Sequence, residues 1–186
     1  MEQKKFPTER IALIAVMAAV ICVLSPIAIP LSGGVPISLA TFAVMLTGVL
    51  LGPIDGALAT LVFLLLGMVG VPVFSSYQAG LGVLFGKTGG FILGYIPLVL
   101  CSGLFLRGKN FSVWKAVGGM LLGTVILYTF GAVWFLILTH ATWKLVLSAT
   151  VLPFLPGDAI KILLVCLLAP VLMKALEKMK ARKAIA

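Results

Sequence analysis

The chain has 186 residues, of which 62% are hydrophobic and only 10% are charged, whereas a soluble domain carries about 25% charged residues. A soluble globule has no interior large enough for this much apolar surface, so the composition excludes a soluble enzyme and indicates an integral membrane protein. At about 20 residues for each spanning helix, the length allows about six spans and predicts one transmembrane domain over residues 1–186.

Six apolar runs follow one another along the chain, and prolines and glycines separate them. The break between the second and third runs is only Gly52-Pro53, which predicts an antiparallel helix hairpin. Pro170 falls inside the last run and predicts a kink or loosened final turns. The expected fold is an all-α membrane protein with six transmembrane helices, over Glu9–Leu24, Ser38–Leu51, Ile54–Val69, Thr88–Leu106, Val113–Leu138 and Gly157–Leu176.

The net charge of +9 comes from lysines and arginines that flank these runs. Cytoplasmic flanks of membrane helices are enriched in both residues, so the distribution predicts a multi-pass protein of the cell membrane with both termini in the cytoplasm. Because the basic residues lie at the ends of membrane helices, they form no soluble basic face, and nucleic-acid binding is not expected. With six spans, eleven of them fall on the side of the termini and three on the other: Lys4, Lys5, Arg10, Arg107, Lys109, Lys115, Lys174, Lys178, Lys180, Arg182 and Lys183 against Lys87, Lys144 and Lys161.

Two connections on the predicted outer side differ from ordinary loops. Residues 26–36 are apolar, uncharged and rich in proline and glycine, and residues 70–90 contain many glycines. Irregular backbone near membrane depth is tolerated where it is buried in protein or lines a cavity. The two segments therefore predict a lidded, outward-facing pocket, although interfacial loops that only connect helices would have a similar composition.

Asp158 and Lys161 are the ionisable pair most indicative of a binding site. They follow Pro156-Gly157 at the start of the last run, and a spacing of three places both on one face of a helix. Ionisable groups at membrane depth are costly and usually face the protein interior. The pair therefore predicts an acceptor and a donor for a polar ligand. The alternative is that Asp158 caps the helix and Lys161 extends to the interface.

Three further candidates for ligand binding lie in the glycine-rich connection. Tyr77 offers a flat face and a hydroxyl, and Gln78 offers both a donor and an acceptor; an interfacial anchor and a solvated loop residue are the alternatives. Lys87 either pairs with an anionic ligand group or lies at the interface. Gly86-Lys87-Thr88 is not a nucleotide-binding loop, because Leu81 stands where that motif requires glycine.

Nothing in the sequence indicates catalysis or a metal site. His140 is the single histidine, and Cys22, Cys101 and Cys166 are dispersed among apolar runs. We therefore expect no enzyme activity, no bound metal and no cofactor. Ala15 and Ala19 form a small-xxx-small pair on the first helix, which either allows close approach of another helix or only fills the helix.

Five segments, in their order and spacing, carry a resemblance to a known family. They are Pro36-Ile37-Ser38, Leu51-Gly52-Pro53, residues 70–74, residues 86–90, and residues 153–158 together with Lys161. They resemble the BioY family, the biotin-specific S components of energy-coupling factor (ECF) transporters. The segment Pro156-Gly157-Asp158 with Lys161 is the most distinctive.

The resemblance implies a six-helix, high-affinity biotin-binding subunit for vitamin uptake, with biotin as the transported ligand. Such a subunit depends on a transmembrane coupling subunit and two ATPase subunits, onto which the first helix docks through Ala15 and Ala19. It also implies binding roles for Asp158 and Lys161 and, more loosely, for the glycine-rich connection. The alternatives are an S component for another small vitamin and a membrane scaffold subunit without a ligand.

Overall fold

The computed structural model describes the backbone of residues 8–31, 34–104 and 112–185, with side chains in those ranges up to residue 178. This part of the chain is mostly helical, as the sequence predicts. Its elements are α1 Thr8–Leu24, β1 Ala28–Ile29, β2 Ile37–Ser38, α2 Ala40–Leu51, α3 Pro53–Met68, α4 Leu81–Leu84, α5 Gly89–Leu93, α6 Tyr95–Leu104, α7 Val113–Thr139, α8 Trp143–Thr150 and α9 Leu155–Ile185.

Each apolar run corresponds to helical structure, with the fourth run divided between α5 and α6. Among the described residues, two helical segments are long and apolar enough to cross a membrane, Val113–Thr139 and Leu155–Lys178. The segments Ala40–Leu51, Pro53–Met68 and Gly89–Leu104 are apolar but shorter. The count of six spans therefore stays a prediction. Lys4, Lys5, Arg107 and Lys109 lie outside the described residues, as do the side chains of Lys180, Arg182 and Lys183.

Glycines bring α2, α3 and α6 into close contact. Gly52 ends α2 with a φ of +82°, and Pro53 begins α3 immediately afterwards. This gives the tight hairpin that the sequence predicts, since glycine adopts positive φ without steric cost. A Cβ built on Gly103 of α6 would lie 2.6 Å from the carbonyl carbon of Gly52. Helices in lipid associate largely through such close packing of small residues.

The last helix is continuous. α9 passes through Pro170 without ending, although proline has no N–H to donate within the helix. Large apolar side chains on α9, including Leu163, Leu167 and Val171, are about 60% exposed or more. Such a surface suits a lipid environment, because hydrocarbon chains replace the water that would oppose its exposure.

The two unusual connections fold into short ordered units that meet each other. β1 and β2 form an antiparallel pair, with Ala28 opposite Ser38. In the glycine-rich connection, a 3-10 turn runs over Ser75–Tyr77. The N–H of Ser76 donates to the carbonyl of Pro26 over 3.1 Å, which joins the turn to the first connection. The sequence did not predict these strands or this turn.

Candidate ligand-binding site

A cavity lies between the start of α2, the glycine-rich connection, α5 to α7 and the start of α9. Its empty volume, which includes space open to solvent, is about 520 Å³. Most of the lining surface is apolar, and polar side chains from several elements also reach it. They include Thr41, Gln78, Tyr128, Asp158 and Lys161.

Asp158 and Lys161 form a buried ion pair at one end of this cavity. Lys161 Nζ lies 2.8 Å from Asp158 Oδ1, and the two residues are only 5% and 3% exposed. They occupy adjacent turns of one helix face, as the spacing of three predicts. The alternative roles that the sequence left open, a helix cap for Asp158 and an interfacial lysine for Lys161, do not describe them. The Asp158 N–H donates to the Phe154 carbonyl within the helical pattern, so Asp158 is not the cap, and Lys161 does not extend to the surface.

Two residues that the sequence analysis missed complete the network around this pair. The Tyr128 hydroxyl, from α7, donates to Asp158 Oδ2 over 2.6 Å. Thr41 Oγ1, from α2, accepts from Lys161 Nζ over 2.8 Å and donates to Asp158 Oδ1 over 3.1 Å. Three helices thereby meet at one carboxylate. Such hydrogen bonds offset the cost of removing both charges from water.

Aromatic rings form much of the remaining wall. Phe91 stacks on Phe154, with ring centroids 6.2 Å apart and an angle of 15° between the planes. Phe74 packs edge-on against Phe63, which also contacts Tyr95. Apart from Phe63, these residues line the cavity. Flat apolar walls with a polar end suit a ligand that has an apolar ring system and a polar head.

A second, outer opening lies next to the main cavity, between the two connections. Pro36, Gln78 and Thr88 line both spaces, so the outer opening and the inner cavity are direct neighbours. Trp134 of α7 fixes the adjacent segment, because its Nε1–H donates to the Gly86 carbonyl over 2.9 Å. Residues of both connections that the sequence singled out therefore line the inner cavity and the outer opening.

The three candidates from the glycine-rich connection lie in different places. Gln78 lines the cavity and the outer opening. Lys87 is exposed and lies over Gly34, which lines the outer opening. Tyr77 is 70% exposed and is not among the cavity-lining residues, although the sequence placed it with Gln78. Its φ of +60° turns the chain at this point, and the ring stays outside.

Ala15 and Ala19 lie on the exposed side of α1. Met17, Ala18 and Ile21 are the buried residues of this helix, and Val16 and Val23 are 57% and 69% exposed. The alanines therefore do not pack inside the described fold. Their exposed position leaves a shallow, small-residue surface on which either lipid or another helix can pack.

The opposite end of the bundle contains a second ion pair. Arg10 Nε on α1 donates to Asp55 Oδ1 and Oδ2 on α3 over 2.8 and 2.9 Å. The two residues lie 45 positions apart in the chain, so no local sequence pattern predicts this pair. Both side chains are partly exposed, so solvent screens the attraction between the two charges. Over the described ranges, no group of three potential metal ligands comes together.

The cavity is typical of a protein that binds a small molecule, and the exposed apolar helix surfaces are typical of a membrane protein. The sequence model of the BioY family matches residues 1–178. The biotin transporter BioY2 of Lactococcus lactis subsp. cremoris is 36% identical over 167 residues, which cover 90% of this chain and 91% of that protein. The biotin transporter BioY of Rhodobacter capsulatus is 36% identical over 171 residues, covering 86% and 90%. The chain belongs to the BioY family.

A solved structure agrees with the family assignment. The crystal structure of the S-component for biotin from an ECF-type ABC transporter superimposes with a TM-score of 0.83 at 27% identity. The match covers 94% of this chain and 95% of that one. The helical bundle around the cavity is therefore the fold of an ECF S component, as the sequence resemblance implied.

Proposed function

We propose that this chain is the biotin-binding membrane subunit of an ECF-type vitamin uptake transporter, with a separate coupling subunit and two ATPase subunits as partners. Membership in a transporter family separates it from the enzymes. The observation that carries the proposal is the buried Asp158–Lys161 pair in the wall of a cavity that aromatic rings also line. Biotin has matching parts: a ureido group, an apolar bicyclic ring and a carboxylate tail.

The hydrogen bonds already made at the pair determine what it can offer a ligand. A carboxylate has about four acceptor positions and an ammonium has three donors. Within the described residues, Asp158 accepts three hydrogen bonds and Lys161 donates two. One acceptor position on Asp158 Oδ2 and one N–H on Lys161 therefore remain for a ligand. A ligand group with an N–H next to a carbonyl fits both.

This count favours one ligand orientation of the two that the sequence left open. The ureido ring of biotin offers an N–H and a carbonyl side by side, which satisfies Asp158 and Lys161 together. A carboxylate offers only acceptors and would bring a second negative charge next to Asp158, which is unfavourable at low dielectric. The ureido end then lies at the pair, and the carboxylate tail extends past Gln78 and Thr88 toward Lys87 at the outer opening.

A competition panel with the purified protein tests this function. We expect biotin to bind and to be displaced by unlabelled biotin, but not by thiamine or riboflavin at the same concentrations. Binding of either of the other vitamins in preference to biotin would identify an S component for a different substrate. A protein that binds none of the three would fit the remaining alternative, a scaffold subunit, and would overturn the proposal.

The membrane arrangement proposed for the single domain, residues 1–186, has six spans with both termini in the cytoplasm and the two connections as a lid on the outer side. The charge asymmetry supports it. In a background without the native cysteines, single cysteines at positions 3 and 184 should be protected from an impermeant thiol reagent in sealed cells, and both should react after permeabilisation. Labelling of either position from outside would contradict this topology.

Docking through α1 is the second part of the proposed assembly, and the exposure of Ala15 and Ala19 supports it. Replacing both alanines with leucine should strongly reduce co-purification with the coupling subunit, because bulky side chains prevent close helix approach. Biotin binding should stay within about twofold of the parent, a free-energy change well below the 1.4 kcal/mol of a tenfold effect. Unchanged complex yield would mean that the alanines only fill the helix, and a loss of biotin binding would mean that α1 packs internally.

A further inference from the structure

One wall of the cavity is positioned by a glycine that lies behind it. Gly131 is buried in the middle of α7. A Cβ built at this position would lie 2.2 to 2.4 Å from three ring atoms of Phe91. Nonbonded heavy atoms do not approach each other this closely. The ring of Phe91 therefore occupies the space that any larger residue at position 131 would need.

Phe91 has little freedom to move except into the cavity. It is 7% exposed, and its ring stacks on Phe154. Its neighbour Gly90 is equally tight, because a Cβ there would lie 2.3 Å from Trp134 Cβ. Protein interiors are close-packed and leave few voids. Since Phe91 lines the cavity, the empty space beside its ring is the ligand space itself.

We propose that Gly131 is a specificity-determining residue: it sets the width of the ligand cavity by seating Phe91, although it does not itself line that cavity. This inference rests on the proposed function for the identity of the ligand, a molecule with a ureido ring fused to an apolar ring. A methyl group at position 131 moves Phe91 toward the ligand and narrows the space for the fused ring. The effect is therefore steric and depends on the size of the ligand.

The test compares Gly131→Ala with Gly118→Ala on the same helix. Gly118 is exposed, and a Cβ there meets nothing within 4 Å, so both variants gain the same helix propensity and only one displaces a ring. We expect Gly131→Ala to weaken biotin binding at least about tenfold, and Gly118→Ala to leave it within about twofold, where about 1.4 kcal/mol corresponds to tenfold. Desthiobiotin, which lacks the sulfur bridge of the second ring, should lose less affinity than biotin.

A second substitution shows whether the loss of affinity comes from displacement of the Phe91 ring or from a general disturbance of the fold. Gly131→Ala combined with Phe91→Leu should recover most of the biotin affinity, because the smaller side chain leaves room for the added methyl group. An affinity of Gly131→Ala within about twofold of the parent, or equal losses for biotin and desthiobiotin without recovery in the double variant, would overturn the inference.

A measurement without ligand keeps this inference separate from the proposed function. With 4-fluorophenylalanine at position 91, the fluorine NMR signal of the unliganded protein should shift in Gly131→Ala and stay in place in Gly118→Ala. An unshifted signal in Gly131→Ala would show that residue 131 does not set the position of the Phe91 ring, and this would overturn the inference. Absence of biotin binding by the parent chain would instead overturn the proposed function. The fluorine signal would still show whether residue 131 sets the position of the Phe91 ring.

Discussion

Replacing Asp158 with asparagine is expected to weaken biotin binding by roughly ten- to a hundredfold. The carboxylate accepts from Tyr128, Thr41 and Lys161, and in the proposed complex it also accepts from a ureido N–H. A hydrogen bond to a charged group contributes about 1.5–3 kcal/mol, and about 1.4 kcal/mol corresponds to tenfold. Asparagine keeps the shape but turns one acceptor into a donor that faces other donors. Titration of biotin into the purified variant measures the effect, with a melting curve to confirm folding.

The control for this variant is Asp55→Asn. Asp55 is the chain's other aspartate, and it pairs with Arg10 between α1 and α3 rather than at the cavity. The same chemical change there should leave biotin affinity within about twofold of the parent, which is less than 0.5 kcal/mol on the scale of about 1.4 kcal/mol for tenfold. If Asp158→Asn behaved like this control, Asp158 would be removed from the site, and with it the main argument for how the ligand is held.

Replacing Lys161 with methionine should have the largest effect on stability as well as on binding. Methionine preserves much of the side-chain volume but removes the charge, so the carboxylate of Asp158 stays buried without its cation. Removing one partner of a buried ion pair typically costs about 3–5 kcal/mol. We expect a clearly lower unfolding temperature in detergent and loss of detectable biotin binding at concentrations that saturate the parent.

A double variant shows whether the cost comes from the unpaired charge. Asp158→Asn combined with Lys161→Met has no buried charge at this position, so it should be more stable than Lys161→Met alone, although it should still fail to bind biotin. Lys144→Met, at an exposed lysine of α8, is the matched control and should melt and bind like the parent. Equal stability of the single and double variants would show that the unpaired charge of Asp158 does not cause the loss of stability.

The site is also expected to depend on the residues that hold the ion pair in place. Tyr128 and Thr41 hold the carboxylate and the ammonium in place from two other helices. Fixing polar groups before the ligand arrives reduces the ordering cost of binding. The network therefore provides a preorganised polar group in a cavity that aromatic rings also line.

Composition and local spacing were sufficient to predict the helical membrane fold and the central pair. The apolar runs and the Gly52-Pro53 break are local signals: the first reflects the thickness of the bilayer, and the second reflects the chemistry of a tight turn. The spacing of Asp158 and Lys161 likewise follows from helix geometry alone. The order of the five motifs predicted the family, which the comparisons confirm.

The tertiary structure alone decided which distant residues join that pair and which nearby ones do not. Thr41 and Tyr128 lie 117 and 30 residues from Asp158, and periodicity shows which residues share a helix face but not which helices meet. Gln78 lines the cavity while its neighbour Tyr77 does not, because the backbone of the turn directs the two side chains differently. Gly131 acquires its role only through contact with Phe91, since a glycine has no side chain whose chemistry could indicate such a function in the sequence.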